Sequence, residues 1–468
     1  MYPAMVEGCK EVTLGMLGRV MPTHHHSYPR WLPRSKMSCS NGVSAVPETM
    51  KGQKAPQVQE ALVREALQYD QGQDARLLSW SSHYFTNKGD NYVAVINSVS
   101  VKFSKDGCEQ EVSYVVKMKQ LQNKTMKNDF DDMVFQKEGK FYTDLMPLIN
   151  HELTAIGQDP LRVPRCLHDD WDEKKDQLFL EDLRHRGFKL HDRKQALSVP
   201  HAALVLRELA RLHAVSFLVL SKISKEQLAS KFKFLTWAMY NYSEQTKKAF
   251  HMLISGSLQT ASELAEAAGR EDMSEWFRTL ASQGTEVLIN QTGEASVFDV
   301  ISHGDCWINN LLFRDDNKGD PIEVMLLDFQ LCRKTSLAFD LNYFLFSSLV
   351  ASDRNDKLEH LLATYHTSFK DVMEAAEAAM PFTLAELTKE FYRRNIVGLI
   401  YGALAIPALV CEAQDAQEFD VSSDKNTHKY VVKKRQNALN MLKTNSLMPY
   451  RLASLYEDVR LYTSRLTT

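Results

Sequence analysis

The stretch SHGDCWINNLLF, residues 302–313, sets His303, Asp305 and Asn310 between two apolar runs. Beyond it, RDDNKGDP (residues 314–321) has strong turn chemistry, and Ile322 to Leu327 reads as a second short strand that ends at Asp328. Folding this hairpin brings its open ends together, so Asn310 and Asp328 are expected as cross-strand neighbours with Asp305 in the loop above. Each of the three alone is an ordinary turn former. Together, ahead of a hairpin ending in DFQ, they bring one amide and two carboxylates to one point. Hard oxygen ligands on a rigid hairpin suit Mg²⁺, which binds through one or two carboxylates plus substrate phosphates. Asn310 and Asp328 are the expected metal ligands, and Asp305, free to face an incoming hydroxyl, is the candidate general base. His303 is placed to fix the loop by hydrogen bonding.

Working outward, Arg76 to Phe85, Asn91 to Phe103 and Glu111 to Lys119 are rich in Val, Tyr, Phe, Ser and Ile and are separated by TNKGD and SKDGCE. They read as three antiparallel strands, preceded by an amphipathic helix over 57–69. Asp129 to Ile149 returns to helical spacing, with Phe130, Val134, Phe141 and Leu145 on an apolar stripe that also carries Glu138. A carboxylate turned inward needs a cation. The strand before it offers Lys117 in YVVKMK, with Lys119 as its rival, and a Lys–Glu pair of this kind steadies nucleotide phosphates in kinase-like folds. The turn NKGDNY, with Gly89, Asp90 and Asn91, would lie over those phosphates; its single glycine is a weak signal beside a three-glycine loop. Leu178 to Leu183, LFLEDL, reads as a strand leading out of this lobe, and the rest is mainly helical, with stretches over 199–220, 261–289, 356–378 and 384–410.

The whole chain is compatible with this. Its 468 residues are long enough for cooperating lobes. A net charge of -3 gives neither a basic field for nucleic acid nor an acidic one for a basic partner. The seven cysteines are odd in number and never in a C-x-x-C pair, which points to reduced thiols. Ile396 to Cys411 is uncharged but short of the roughly 20 residues of a span and holds Gly398, Gly402 and Pro407, so a buried core helix is expected and no membrane span. Residues 1–56, including His24 to His26, read as a disordered leader without a convincing targeting pattern. The expectation is a cytoplasmic α+β protein of two lobes: a small antiparallel-sheet lobe over 57–180, then a hinge and larger helical lobe over 181–468.

These residues resemble the ecdysteroid-kinase-like family, within the aminoglycoside/choline-kinase branch of the protein-kinase-like fold. The resemblance runs over about residues 60–460: KGDNY, YVVK, FQKEGKFYTDLMP, FLEDL, LARLHAVSF, HGDCWINN and LDFQ are similar to the family's motifs. It implies Asp305 as base, Asn310 and Asp328 on Mg²⁺, Lys117 on the phosphates of ATP with Glu138 as its partner, and the backbone of Glu181, Asp182 and Leu183 on the adenine. Trp307 would brace the loop or face the acceptor, and Asp340 in AFDLNYF would support the catalytic loop. The chain departs from the family's pattern at Val93-Ala94 and in the turn LCRKTSLAFD after DFQ. The expected activity is Mg²⁺-ATP-dependent phosphorylation of a small-molecule alcohol, an ecdysteroid or another lipophilic or xenobiotic compound, set against a nucleotide-binding pseudokinase. The aromatics Phe232, Phe234, Trp237, Tyr240 and Tyr242 either line an apolar acceptor pocket or belong to the core.

Overall fold

Strand alternation sorts the first lobe's side chains onto two faces. The computed structural model describes residues 58–85, 94–119, 129–168, 171, 176–236, 243–293, 296–412, 415 and 423–466. The expected leader and the turn with Gly89, Asp90 and Asn91 lie outside these residues. Helix α1 (Glu60–Gln71) leads into an antiparallel sheet ordered β1 (Arg76–Tyr84), β2 (Ala94–Lys105), β3 (Cys108–Lys119) and β4 (Gln177–Glu181). The β2–β3 link is the two-residue loop Asp106–Gly107, both at positive φ, the conformation whose twist matches its strands. On β3, Tyr114, Val116 and Met118 pack with Val63, Ala66 and Leu67 of α1 into one small core. Val115 and Lys117 take the opposite face, which opens on a cleft.

The helix expected over 129–149 is interrupted. It runs as α2 (Asp129–Lys140), a π turn (Phe141–Leu145) and α3 (Met146–Ala155). Pro147 has no N–H to offer the carbonyl one turn back, so the ladder breaks there, and the Met146 N–H reaches Phe141 instead. Val134, Phe141, Leu145 and Glu138 are buried as the stripe predicts.

The second lobe is built around α4 (Val199–Lys222), followed by α5 (Lys225–Ala229), α6 (Glu244–Ala267), α7 (Glu271–Ala281) and α8 (Gly284–Gly293). The single helix expected over 261–289 is thus three pieces, the first ending before Gly269 at φ 69°. After β5 (Lys189–Leu190), the strands β6 (Asp299–Ser302), β7 (Leu311–Asp315), β8 (Pro321–Leu326) and β9 (Arg333–Ser336) interrupt the helices as expected, β7 pairing with β5 and β8, and β6 with β9. The chain closes with α9 (Ala338–Ser348), α10 (Ala351–Ala375), α11 (Leu384–Arg393), α12 (Asn395–Val410), α13 (Asp424–Thr444) and α14 (Leu447–Leu466). The helix expected over 384–410 bends by 53° between α11 and α12. Helix α12 is buried in the core, and among the described residues no single helix is long and apolar enough to cross a membrane. Phe232 and Phe234 are also core; Trp237, Tyr240 and Tyr242 lie outside the described residues. The described cysteines are free thiols.

Helix α2 positions Glu138 only because its neighbour is a glycine. A Cβ on Gly139 would lie 2.1 Å from the Trp171 ring, whose Nε1 donates to Gln136 Oε1 at 2.8 Å. Gly139→Ala, which in a solvent-facing helix would stabilise by up to about 1 kcal/mol, should here destabilise by roughly 1–3 kcal/mol through overpacking. Urea unfolding checks this; a stabilised variant would mean that Trp171 does not pack against the helix.

Candidate active site

Loop 303–310 emerges from β6 and is gripped from below by a buried aspartate. Asp340, on the first turn of α9, accepts from the backbone N–H of His303 at 2.6 Å and of Gly304 at 2.9 Å. His213 on α4 adds its Nε2 at 3.0 Å, and the other ring nitrogen meets the Tyr365 hydroxyl at 2.7 Å. Burial pushes the Tyr365 phenol well up, so it donates to Nδ1 and leaves the proton on Nε2 for Asp340. Burial alone would raise the Asp340 carboxyl, but the hydrogen bonds from His213 and from the Gly304 backbone outweigh it and hold it below the ordinary range. Gly304 is at φ 83° with its missing Cβ 2.1 Å from the Leu331 carbonyl oxygen, a position only glycine fits.

Asp305 stands in this loop with both carboxylate oxygens engaged. Oδ1 accepts from Tyr343 OH at 2.8 Å and Oδ2 from Asn310 Nδ2 at 3.1 Å. Desolvation pushes its carboxyl up to about 6, the Asp328 charge adding and the hydrogen bonds opposing. His303 Nδ1 accepts from the Asp305 backbone N–H at 3.3 Å, the loop-fixing role expected of it. Trp307 is buried in the core.

The hairpin register differs from the expected one by a residue. Asn310 ends a 3₁₀ turn, so β7 begins at Leu311, and the Asn310 carbonyl pairs with Leu327 N–H at 2.9 Å. Asn310 and Asp328 are therefore not cross-strand partners. The Asn310 Nδ2 group is spent on Asp305, including the backbone carbonyl at 2.9 Å, which leaves its Oδ1 turned away from that carboxylate. Asp328, in the left-handed region at φ 69°, instead bonds Lys117.

That bond completes a buried triad. Lys117 Nζ lies 2.6 Å from Glu138 Oε2 and 2.8 Å from Asp328 Oδ1. Lys117, not Lys119, makes the pair. Burial would lower its ammonium pKa, but the Asp328 and Glu138 charges outweigh it and hold it above the usual lysine value. Burial pushes the Glu138 carboxyl up against the Lys117 charge. Phe329 follows Asp328 and stacks on Phe141 of the π turn at 3.9 Å and against His303 at 4.5 Å, tying the first-lobe helix to the loop.

Glu181, Asp182 and Leu183 line the same cleft, a cavity of about 320 Å³ that also takes in Lys117, Glu138, Asn310 and Asp328. The Asp182 side chain is turned to structure: it accepts from Ser113 Oγ and from Arg184 N at 3.1 Å. Burial would raise its carboxyl, but these bonds hold it low.

The geometry is matched by a family comparison. The model of the ecdysteroid kinase-like family matches residues 88–378. The chain belongs to the ecdysteroid kinase-like family. A search of curated proteins finds no match. Among solved structures, the chain is similar to a Plasmodium vivax ethanolamine kinase at 10% identity and TM-score 0.39, over 82% of this chain and 89% of that one. A Streptococcus pneumoniae choline kinase follows at 11% and TM-score 0.32, over 81% and 98%. The GDP complex of an aminoglycoside 2'-phosphotransferase is 10% identical at TM-score 0.34, over 81% and 98%. Family membership and the cleft together are those of a kinase-type phosphotransferase with two lobes.

Two side chains that contact this site escape a sequence reading. Tyr343 touches Asp305, and the signal was its place three residues after Asp340, on the same helix face. His213 was visible only as part of the LARLHAVSF pattern. Asp340→Ala should destabilise by about 3–5 kcal/mol, because two loop N–H groups and His213 lose their acceptor. The folded carboxyl is held low, so its stabilisation is present above about pH 4, the unfolded value, and is lost as pH falls through the folded value. Asp340→Asn, which cannot titrate, should unfold less steeply on that acid side in chemical denaturation series.

Proposed function

We propose that this chain is a Mg²⁺-ATP-dependent phosphotransferase acting on a hydroxyl of a small molecule. The observation that carries the reading is the convergence of Lys117 from β3, Glu138 from α2, Asn310 from the loop and Asp328 from the end of β8 on one cleft, with Asp305 hydrogen-bonded to Asn310. The buried Lys117 ammonium is shared by two carboxylates, Glu138 and Asp328, an excess of negative charge at that point that a divalent cation would offset. Among the described residues no three His, Cys, Asp or Glu side chains form a metal nest. The donors instead are the Asp328 carboxylate and the Asn310 amide oxygen, which fits Mg²⁺ completed by substrate phosphates and water. Bound there, Mg²⁺ would neutralise charge on the transferring phosphate.

The protein's own residues do the rest. Lys117, exchanging Asp328 for phosphate oxygens, keeps Glu138 as its anchor and holds the phosphates. Asp305, aimed by Tyr343 and Asn310, takes the proton of the acceptor hydroxyl as it attacks in line. The hinge backbone at Glu181 to Leu183 holds the adenine. The acceptor is a lipophilic alcohol, an ecdysteroid or xenobiotic; the family description supports it, while Phe232 and Phe234, as core residues, add nothing.

The test is transfer from γ-labelled ATP with Mg²⁺ to a panel of ecdysteroids, plant-derived alcohols and choline. A labelled product should form, vanish with EDTA, and fall by about 10² to 10⁴ in Asp305→Asn while ATP binding persists. Wild-type turnover in Asp305→Asn would sink the assignment of the base. Tyr343→Phe keeps the ring stacked on Tyr401 at 4.1 Å and removes only the hydroxyl. Its kcat should fall about tenfold, one hydrogen bond's worth, with the KM for ATP unchanged in steady-state kinetics.

A further inference from the structure

Helix α2 gives way to its π turn one turn after Glu138, and the residue this throws inward is Tyr142. Single π turns inside helices occur often at functional sites. The ring is 5% exposed, and its hydroxyl is buried without a hydrogen-bond partner among the described residues. A buried hydroxyl left unpaired costs about 1–3 kcal/mol. Yet the ring itself is firmly set, edge-on to Phe141 at 5.5 Å and to Phe329 at 6.3 Å. Replacing it by phenylalanine would keep these contacts without the penalty, so packing alone does not account for the oxygen.

Its position suggests what does. Tyr142 lines the same cavity as the hinge, together with Pro164 and Leu180. Cys166, beside Pro164, bridges to Leu180. Pro164 and Leu180 give this part of the lining an apolar character. Burial first, then the charges of Glu138, Cys166 and Asp328, push the phenol well above its ordinary pKa, so it is a proton donor.

We infer that Tyr142 is a base-recognition residue whose hydroxyl donates a hydrogen bond to the ring nitrogen N7 of the purine. The inference rests on the reading of the cleft as an ATP site. Adenine has three ring acceptors. N1 shares the edge that meets the hinge backbone, and N3 lies beside the sugar. N7 alone is turned to the interior, and without a donor there it would be stripped of water and left unpaired. Tyr142 satisfies it, and the ligand satisfies Tyr142. The residue thereby favours purines over pyrimidines and makes binding depend on a single ring atom.

The experiment compares wild type with Tyr142→Phe by calorimetric titration with Mg-ATP and with 7-deaza-ATP, which has carbon in place of N7. In wild type, 7-deaza-ATP should bind about tenfold more weakly than ATP, the size of one hydrogen bond. In Tyr142→Phe, ATP should weaken about tenfold and the two nucleotides should bind alike. The free Tyr142→Phe protein should melt higher than wild type, since the unpaired hydroxyl is gone, while its ATP-induced rise in Tm should be smaller. Equal affinity of wild type for the two nucleotides would overturn the N7 pairing without help from any variant. So would a variant that still discriminates between them, or that loses affinity for both equally. Absence of Mg-ATP binding to wild type would instead overturn the nucleotide reading of the cleft, and this inference with it.

Discussion

Everything at this site hangs from one ammonium group. Lys117 is nearly inaccessible to water, and its charge is tolerable there only because two carboxylates reach it, from residues 21 and 211 positions away in the chain. A buried ion is strongly destabilising when a partner is removed, so the sheet, helix α2 and the end of β8 must arrive together. Phe329 reinforces the constraint: it follows Asp328 directly and stacks on the π turn that follows α2. The relation of the first lobe to the hairpin is thus set at two adjacent residues, one by charge and one by aromatic packing.

The second lobe solves a different problem, that of holding a loop rigid without regular structure. Helix α9 does it with two side chains one turn apart. Asp340 takes the loop's backbone N–H groups and Tyr343 takes the Asp305 carboxylate. The strain is local, in the positive φ of Gly304 and of Asp328, and it sits on either side of the hairpin where β6 and β9 pair. The buried His213–Asp340 pair holds this loop fixed, the kind of preorganisation from which groups that act on a substrate gain most.

The legible part of this arrangement was the part written as period and charge. Glu138 on an apolar stripe demanded a cation, and Lys117 was the one flanked by apolar neighbours. The two-strand hairpin could be read from its turn residues, though its register came out one residue off because a 3₁₀ turn at Asn310 delays β7. Helix ends were harder. Gly269 divides one apparent helix, and the stretch over 384–410 keeps its apolar pattern through a 53° bend. Pro147 was visible in the sequence, but its consequence, a π turn upstream of it, depends on which hydrogen bond the ladder gives up. Tyr343 was out of reach for another reason: a tyrosine in an apolar helix reads as core, and only the fold shows that its hydroxyl ends at Asp305.

What the cleft lacks is as informative as what it contains. Folding selects for paired polar groups, and departures are found where function overrides stability. This cleft departs twice in one space. Two carboxylates share the one buried ammonium of Lys117, and the buried Tyr142 hydroxyl has no partner among the described residues. The first departure calls for a cation, and the second for a neutral acceptor. A nucleotide with its metal presents both, a base at one end and metal-bound phosphates at the other. The two unmet demands, in the lining of one cavity of about 320 Å³, describe one ligand better than two unrelated flaws.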